Sequence, residues 1–343
     1  MKYEKVDCAF GRKTVNLIDL NALIYAGHYA TPLTCRGMPI GGAFSTIRRI
    51  ISDLDQKDSY LVGVLDSPNN FRKTVAPNYK AGRTKTEGIS HQRDVVKQFM
   101  KALRIPVYAE DNFEADDLIA SFNTLLGRDF NIFVTSPDKD LFKLLRYSSI
   151  EHGSVFARKK VGDEIKLVTP DDIINKYGIQ PERFSEYLML TGDSCDSIRG
   201  IKGVGAKTAS KMLSMFSVYE MINTYDSIIK SYEDGVCTLP LFATALKVQE
   251  RTTDEKNRKK INKFVASVHE NMSDLKQARY LVELVDSVGM YPEANHIRED
   301  IEDYHGLNME PDVEAFEELC EHYAFKSFQK YVKKWSQQGG KNV

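Results

Sequence analysis

Nine carboxylates stand out in this chain of 343 residues: Asp19, Asp66, Glu114, Asp116, Asp117, Asp138, Asp140, Asp193 and Asp196. Taken singly, each has an ordinary reading. Glu114, Asp116 and Asp117 are acids at a helix start, where they complement the macrodipole. Asp138 and Asp140 read as a turn followed by a cap. Asp193 and Asp196 would close one helix and cap the next, and Asp19 and Asp66 are turn formers at strand ends. As a set they predict something else. Two like charges ~4 Å apart repel by roughly 4 kcal/mol at an effective dielectric of about 20. A cluster of such acids therefore needs protons or divalent cations. Oxygen donors without His or Cys favour Mg2+ or Mn2+ over Zn2+. More carboxylates than one octahedral shell can use predict two ions ~3.5–4 Å apart, the arrangement of phosphodiester chemistry. Such a site generates a hydroxide and stabilises a leaving oxygen, with no Ser, Cys or His nucleophile.

The elements that must position these acids alternate apolar runs with amphipathic stretches, which predicts a mostly parallel sheet flanked by helices. Val15 to Ile18 ends on Asp19, and Tyr60 to Leu65 ends on Asp66. Asn131 to Thr135 runs into Ser136, Pro137 and Asp138. A fourth run, Ile105 to Ala109, leads to a helix beginning near Glu114. In open α/β sheets the functional crevice lies beyond the carboxyl ends of the strands, so these acids are expected to converge.

The segment from about Asn69 to His91 carries Arg72, Lys73, Lys80, Arg83 and Lys85 with few aliphatic residues, and reads as an exposed, mobile element above the sheet. Its basic residues interleaved with Phe71 and Tyr79 resemble a single-strand binding surface. Thr169 to Leu190 is predicted helical, with an N-cap at Thr169. Next comes a Gly-punctuated hairpin, Ile201-Lys202-Gly203-Val204-Gly205-Ala206-Lys207-Thr208-Ala209, whose spacing is that of a helix-hairpin-helix. Its exposed N–H groups suit a phosphate, and Lys202, Lys207 and Lys211 add sequence-independent attraction for a DNA backbone. Beyond Phe216 the chain reads as helical throughout. A basic stretch from Arg251 to Lys263 reads as a solvated face, and a last helix is expected around Asp312 to Trp335.

Composition sets the outer bounds. The formal net charge is −1, so any nucleic-acid surface has to come from segregating the two signs into patches. No apolar run approaches the ~20 residues of a membrane span, and the N-terminus lacks a signal-peptide core. The five cysteines, Cys8, Cys35, Cys195, Cys237 and Cys320, are odd in number and widely spaced. They read as free thiols of a reducing cytoplasm, in a host cell if the chain is viral.

The ordered set of motifs resembles the 5′-nuclease (flap endonuclease) family, which includes the nuclease domain of bacterial DNA polymerase I and standalone bacteriophage 5′–3′ exonucleases. It comprises Asp19; Asp66 with Phe71-Arg72; Tyr79-Lys80-x-x-Arg83; Glu114-Ala115-Asp116-Asp117; Ser136-Pro137-Asp138-Lys139-Asp140; Gly192-Asp193-Ser194-Cys195-Asp196 with the hairpin; and Tyr323-Ala324-Phe325-Lys326-Ser327. The resemblance implies an α/β PIN-like sheet with a helical arch, plus a helical helix-hairpin-helix subdomain. The divisions it suggests are 1–180 for the nuclease domain with the arch at about 69–100, 181–300 for the DNA-binding subdomain, 301–335 for a C-terminal helix packed back on the core, and 336–343 for a tail.

By the same resemblance, Asp66, Glu114 and Asp116 hold a first Mg2+, with Asp19 acting through water. Asp117, Asp138, Asp140, Asp193 and Asp196 build the second metal region, and Mn2+ substitutes. Lys80 and Arg83 steer the scissile phosphate, with Asp116 counted beside them as catalytic. DNA contacts are expected from Arg72, Tyr79, Lys80, Arg83, Lys202, Gly203, Gly205, Lys207, Thr208 and Lys211. A hairpin K+ is expected near Arg199, Ile201 and Val204. Ser197, Arg199 and Asn112-Phe113 depart from the usual family residues at their places, yet no carboxylate is missing.

The resulting expectation is a monomeric, Mg2+-dependent 5′–3′ exonuclease and flap endonuclease. It would act on DNA 5′ ends, flaps and RNA primers during replication, beside unspecified replication proteins. The alternatives are a non-catalytic helix-hairpin-helix scaffold and an Asp-x-Asp phosphatase built on Asp138 and Asp140. The first leaves the full acid set unused, and the second leaves the hairpin unexplained.

Overall fold

The computed structural model describes residues 11–57, 59–82, 86–161, 164–231 and 237–339. The chain forms two compact units. The first comprises Met1–Asn70, Lys85–Thr169 and Leu284–Val343, and the second comprises Phe71–Thr84 and Pro170–Glu283.

In chain order, β1 (Thr14–Asp19) leads into α1 (Leu20–Ala30). A short hairpin of β2 (Thr34–Cys35) and β3 (Met38–Pro39) turns into α2 (Gly41–Gln56) and β4 (Tyr60–Val64). The short α3 (Arg72–Val75) lies in the second unit. Then come α4 (Ile89–Ala102), β5 (Val107–Tyr108), α5 (Ala115–Leu126), β6 (Asn131–Thr135), β7 (Val155–Val161) and β8 (Glu164–Val168). The main sheet has the order β5-β4-β1-β6-β7-β8. Its pairs are parallel except β7 with β8. β1, β4 and β6 are buried along their whole length, which is why they read as continuous apolar runs. The register sets their ends level: Asp19 pairs with Val64, and Ile18 with Thr135.

Two glycines let α1 and α2 pack closely. A Cβ at Gly27 would lie 2.8 Å from the Ser45 Cβ, and one at Gly42 would lie 2.3 Å from the Ile24 carbonyl oxygen. No side chain of its own caps α2. Gln92 on α4 does so instead, its Oε1 accepting from the Gly42 N–H at 2.6 Å and the Ala43 N–H at 3.2 Å. The core gathers Ile24, Ile47, Val96 and Phe99 with Phe316, Phe325, Phe328 and Trp335.

The second unit is helical: α6 (Pro170–Tyr177), α7 (Phe184–Thr191), α8 (Ala206–Leu213), α9 (Val218–Ser231), α10 (Leu239–Ala245), α11 (Glu255–Glu270) and α12 (Met272–Val282). The first unit is completed by α13 (Tyr291–Asp303), α14 (Val313–His322) and α15 (Gln329–Gly339).

The structure departs from the sequence reading in four places. The β7–β8 hairpin was not expected. The last helix is broken in two around Ala324, which sits at φ 57°. Residues 89–102, within the expected arch, form a core helix that buries Val95, Val96, Phe99 and Met100. The segment before it is not freely exposed either, since Arg72, Ala76 and Tyr79 are buried. Cys35, Cys195, Cys237 and Cys320 are free thiols, and Cys8 lies outside the described residues. Among the described residues, no helix is long and apolar enough to cross a membrane.

Candidate active site

In the first unit, three adjacent strands deliver acids to one end of the sheet. Asp19 closes β1. Its Oδ1 accepts from the Ala22 N–H at 2.9 Å, capping α1, and its Oδ2 accepts from the Ser136 hydroxyl at 2.9 Å. Ser136 follows β6, and its Oγ also accepts from the Asp138 N–H at 3.0 Å. Asp138 Oδ1 in turn accepts from the Asp140 N–H at 3.0 Å, starting a 3-10 turn over Asp140–Leu144. Asp66, just past β4, accepts the Ala115 N–H on Oδ1 at 2.8 Å. Its carbonyl oxygen accepts from Arg93 Nη2 at 2.9 Å.

Asp66 and Asp138 both stand within electrostatic reach of Asp19. Burial pushes the Asp19 carboxyl up to about 7, helped by the charge of Asp66 and, more weakly, of Asp138. The Ala22 N–H and the Ser136 hydroxyl act in the opposite sense. A buried carboxyl that resists ionisation beside two others is a hard-oxygen donor set, and a divalent cation would offset the same repulsion.

The first turn of α5 divides its acids between two roles. Glu114 and Asp117 form a reciprocal capping box. Asp117 is fully buried, and both its oxygens accept from backbone N–H groups: Oδ2 from Glu114 at 3.1 Å and Oδ1 from Val285 at 2.9 Å. Those two contacts make Asp117 a structural anchor. Asp116 and Asp140 are half-buried. Among the described residues, no three His, Cys, Asp or Glu side chains already close into a metal cage.

In the second unit, Asp193 and Asp196 are both buried on a tight turn. Asp193 Oδ1 accepts from the Cys195 N–H at 3.0 Å, and a backbone bridge joins Asp193 to Ile198. Lys80 meets this turn: its ammonium lies 3.7 Å from Asp196 Oδ2 and 5.0 Å from the Tyr79 ring centroid. Lys80 and Ser197 both occupy the left-handed region, at φ 56° and φ 61°. Arg83 lies outside the described residues.

Arg72 is a correction. Its Nε donates to the Leu281 carbonyl at 3.1 Å and its Nη2 to the Glu283 carbonyl at 2.7 Å. It caps the end of α12 where free carbonyls concentrate, so it is no exposed DNA contact. Buried Tyr79 likewise offers no open stacking face.

The hairpin between α7 and α8 keeps the expected form. Gly203 sits at φ 83°, where only glycine is unstrained, and Gly205 is the N-cap of α8. Ile201 and Val204 are buried beneath it, while Lys202, Lys207 and Lys211 are exposed and Thr208 is half-buried. Lys211 Nζ donates to Asn257 Oδ1 at 2.9 Å. The Ile201 carbonyl accepts from the Val204 N–H at 2.9 Å.

Residues 14–178 match the family description "5′-3′ exonuclease, N-terminal resolvase-like domain", and residues 179–303 match "5′-3′ exonuclease, C-terminal SAM fold". The chain belongs to the 5′-3′ exonuclease family. It is similar to a 5′-3′ exonuclease of Aquifex aeolicus, at 30% identity over 64% of this chain and 74% of that protein. It is also similar to DNA polymerase I of Mycobacterium bovis, at 31% identity over 63% of this chain but 25% of the polymerase. The fold resembles the bacteriophage T5 flap endonuclease in a complex with DNA and metal ions, with TM-score 0.53, 18% identity and coverage of 85% and 98% of the two chains. It also resembles the catalytic core of Rad2 in complex with DNA substrate, with TM-score 0.54, 13% identity and coverage of 93% and 91%.

Several residues of this 5′-3′ exonuclease family chain that hold its acids in place were not read from sequence as site residues. Ser136 ties Asp19 to the Asp138 loop. Arg93 holds the Asp66 carbonyl, and Ser121 assists Asp117 by accepting from the Val288 N–H at 3.1 Å and donating to the Val285 carbonyl at 3.1 Å. Only Ser136 sat inside a visible motif.

Proposed function

We propose that this chain is a Mg2+-dependent 5′–3′ exonuclease and flap endonuclease that hydrolyses phosphodiester bonds near DNA 5′ ends and leaves 5′-phosphorylated products. One observation carries the reading: Asp19, Asp66 and Asp138 stand at the carboxyl ends of three adjacent strands, with Asp19 buried and tied through Ser136 to the Asp138 loop. Asp19, Asp66, Glu114, Asp116, Asp117, Asp138 and Asp140 are the candidates to hold divalent ions, with Asp193 and Asp196 as candidates on the second unit. When bound, the metal supplies an activated water and charge stabilisation for the leaving oxygen.

The chain's own residues do the rest. Ser136 fixes the rotamer of Asp19 and the approach of Asp138. Lys80, held beside Asp196, supplies a positive charge for a non-bridging phosphate oxygen, which matters most as charge builds in the transition state. The hairpin N–H groups with Lys202, Lys207 and Lys211 grip the duplex backbone without reading sequence, and the turn near Arg199, Ile201 and Val204 is the candidate K+ site. DNA bound by the T5 and Rad2 proteins supports DNA as the substrate. The polymerase I relatives support a place in replication, including RNA-primer removal. A monomer working in the cytoplasm completes the proposal.

The test is product mapping on a 5′-labelled flap oligonucleotide across a Mg2+ titration. Metal-dependent cuts at the junction and at the 5′ end support the reading. Intact substrate at every Mg2+ concentration, with DNA still bound, would return the scaffold alternative.

A further inference from the structure

Beside Ser136, the first unit holds a cavity of about 310 Å³ between α1, α2 and the β6–β7 side of the sheet. Arg48, Arg49, Arg158 and Lys159 line it, and no Asp or Glu does so among the described residues. Behind it lies one carboxylate, Asp53, fully buried. Arg49 Nε donates to both Asp53 oxygens, at 3.1 and 3.0 Å, and Arg158 Nη2 stands 3.9 Å from Oδ1. Arg49 and Arg158 are both buried and both reach Asp53, and among the described residues the cavity lining is basic. Two further polar atoms on its wall, Arg49 Nη2 and Thr46 Oγ1, are buried without a hydrogen-bond partner, on side chains that are 9% and 1% exposed. Unsatisfied buried donors are unfavourable. Water would satisfy the donors alone; an oxyanion satisfies them and complements the basic lining, and a guanidinium matches it with paired N–H groups.

We propose that this cavity binds the phosphate of a nucleotide. The anion would sit between Arg49 and Thr46, with Arg48 and Lys159 at the exposed rim, and Leu23, Ala26 and Pro137 offer an apolar wall to the sugar and base. Ser136 lines the same cavity, so an occupant would touch the residue that orients Asp19. The inference rests on the cavity alone and holds whatever reaction the carboxylates serve. A free mononucleotide and the phosphorylated end of a strand share the chemistry it recognises.

The test is calorimetric titration of the full chain in EDTA, which removes any metal-borne phosphate site. The ligands are inorganic phosphate, thymidine 5′-monophosphate, and one short oligonucleotide with and without a terminal phosphate, against a chloride control. Saturable binding is expected, weakened at least about tenfold by the rim double variant Arg48→Ala/Lys159→Ala and at least about threefold by Thr46→Val. Both variants should keep the wild-type melting transition, since the rim pair is exposed and Thr46→Val conserves volume. Saturation by the mononucleotide assigns the site to free nucleotides. Preference for the end-phosphorylated oligonucleotide over its unphosphorylated twin, with no mononucleotide binding, assigns it to strand ends. No saturable phosphate-dependent binding, equal binding by folded variants, or an equal response to chloride would overturn the proposal.

Discussion

The Ser136 hydroxyl donates to Asp19 Oδ2 at 2.9 Å while accepting from the Asp138 N–H at 3.0 Å. One small side chain therefore couples the acids at the ends of two neighbouring strands. Ser136→Ala leaves every carboxylate in place but removes their common tether. Hydrogen bonds to charged groups contribute about 1.5–3 kcal/mol, so the Mg2+ concentration for half-maximal cleavage should rise by about tenfold, with DNA affinity changed less than about twofold. A Mg2+ titration of single-turnover cleavage beside a DNA-binding isotherm checks this.

Asp116 and Asp117 are neighbours that should fail in opposite ways. Asp117→Ala strands the Glu114 and Val285 N–H groups, and should lower unfolding free energy by about 2–4 kcal/mol. Asp116→Asn should leave the melting transition in place and reduce cleavage by more than about a hundredfold. Denaturant unfolding and single-turnover rates on both variants separate the two roles.

Lys80 tests whether the pairing with Asp196 serves chemistry. Lys80→Ala should lower the single-turnover rate by about a hundredfold and DNA affinity by less than about threefold. Equal losses in the two would mean that Lys80 only holds DNA.

Asp19 predicts a pH signature in the metal-free protein. Its carboxyl is raised from 3.8 to about 7, so the folded state holds that proton more tightly than the unfolded chain. The stability this contributes is full below about pH 4 and is lost as pH rises through about 7. In EDTA, Asp19→Asn should therefore gain stability relative to wild type between about pH 5 and pH 8, and added divalent cation should narrow the gap. A difference in melting temperature that stays constant across that range would contradict the assignment.

How much of this was legible depended on how local the cause was. β1, β4 and β6 could be read because strands buried on both faces appear as unbroken apolar runs, and Asp19, Asp66 and Asp138 stand at their ends. β7 could not, since its sequence Val-Phe-Ala-Arg-Lys-Lys-Val hides a strand whose Arg158 is buried against Asp53. The hairpin was legible because Gly203 and Gly205 are required locally. Asp116 and Asp117 are inseparable by sequence: one residue turns a helix by about 100°, and the partner that claims Asp117, Val285, lies 168 positions away. Arg72 was misread for a similar reason, because nothing nearby announces the carbonyls of Leu281 and Glu283 that bury it.

In the proposed reading, acids from three strands make a pocket that requires a divalent cation. Mn2+ binding by calorimetry to wild type, Asp66→Asn and Asp138→Asn tests it most directly. Stoichiometric binding to wild type is expected, weakened by at least about tenfold in each variant, with flap cleavage falling in parallel. Wild-type Mn2+ affinity in both folded variants, or flap cleavage that persists in EDTA, would contradict it.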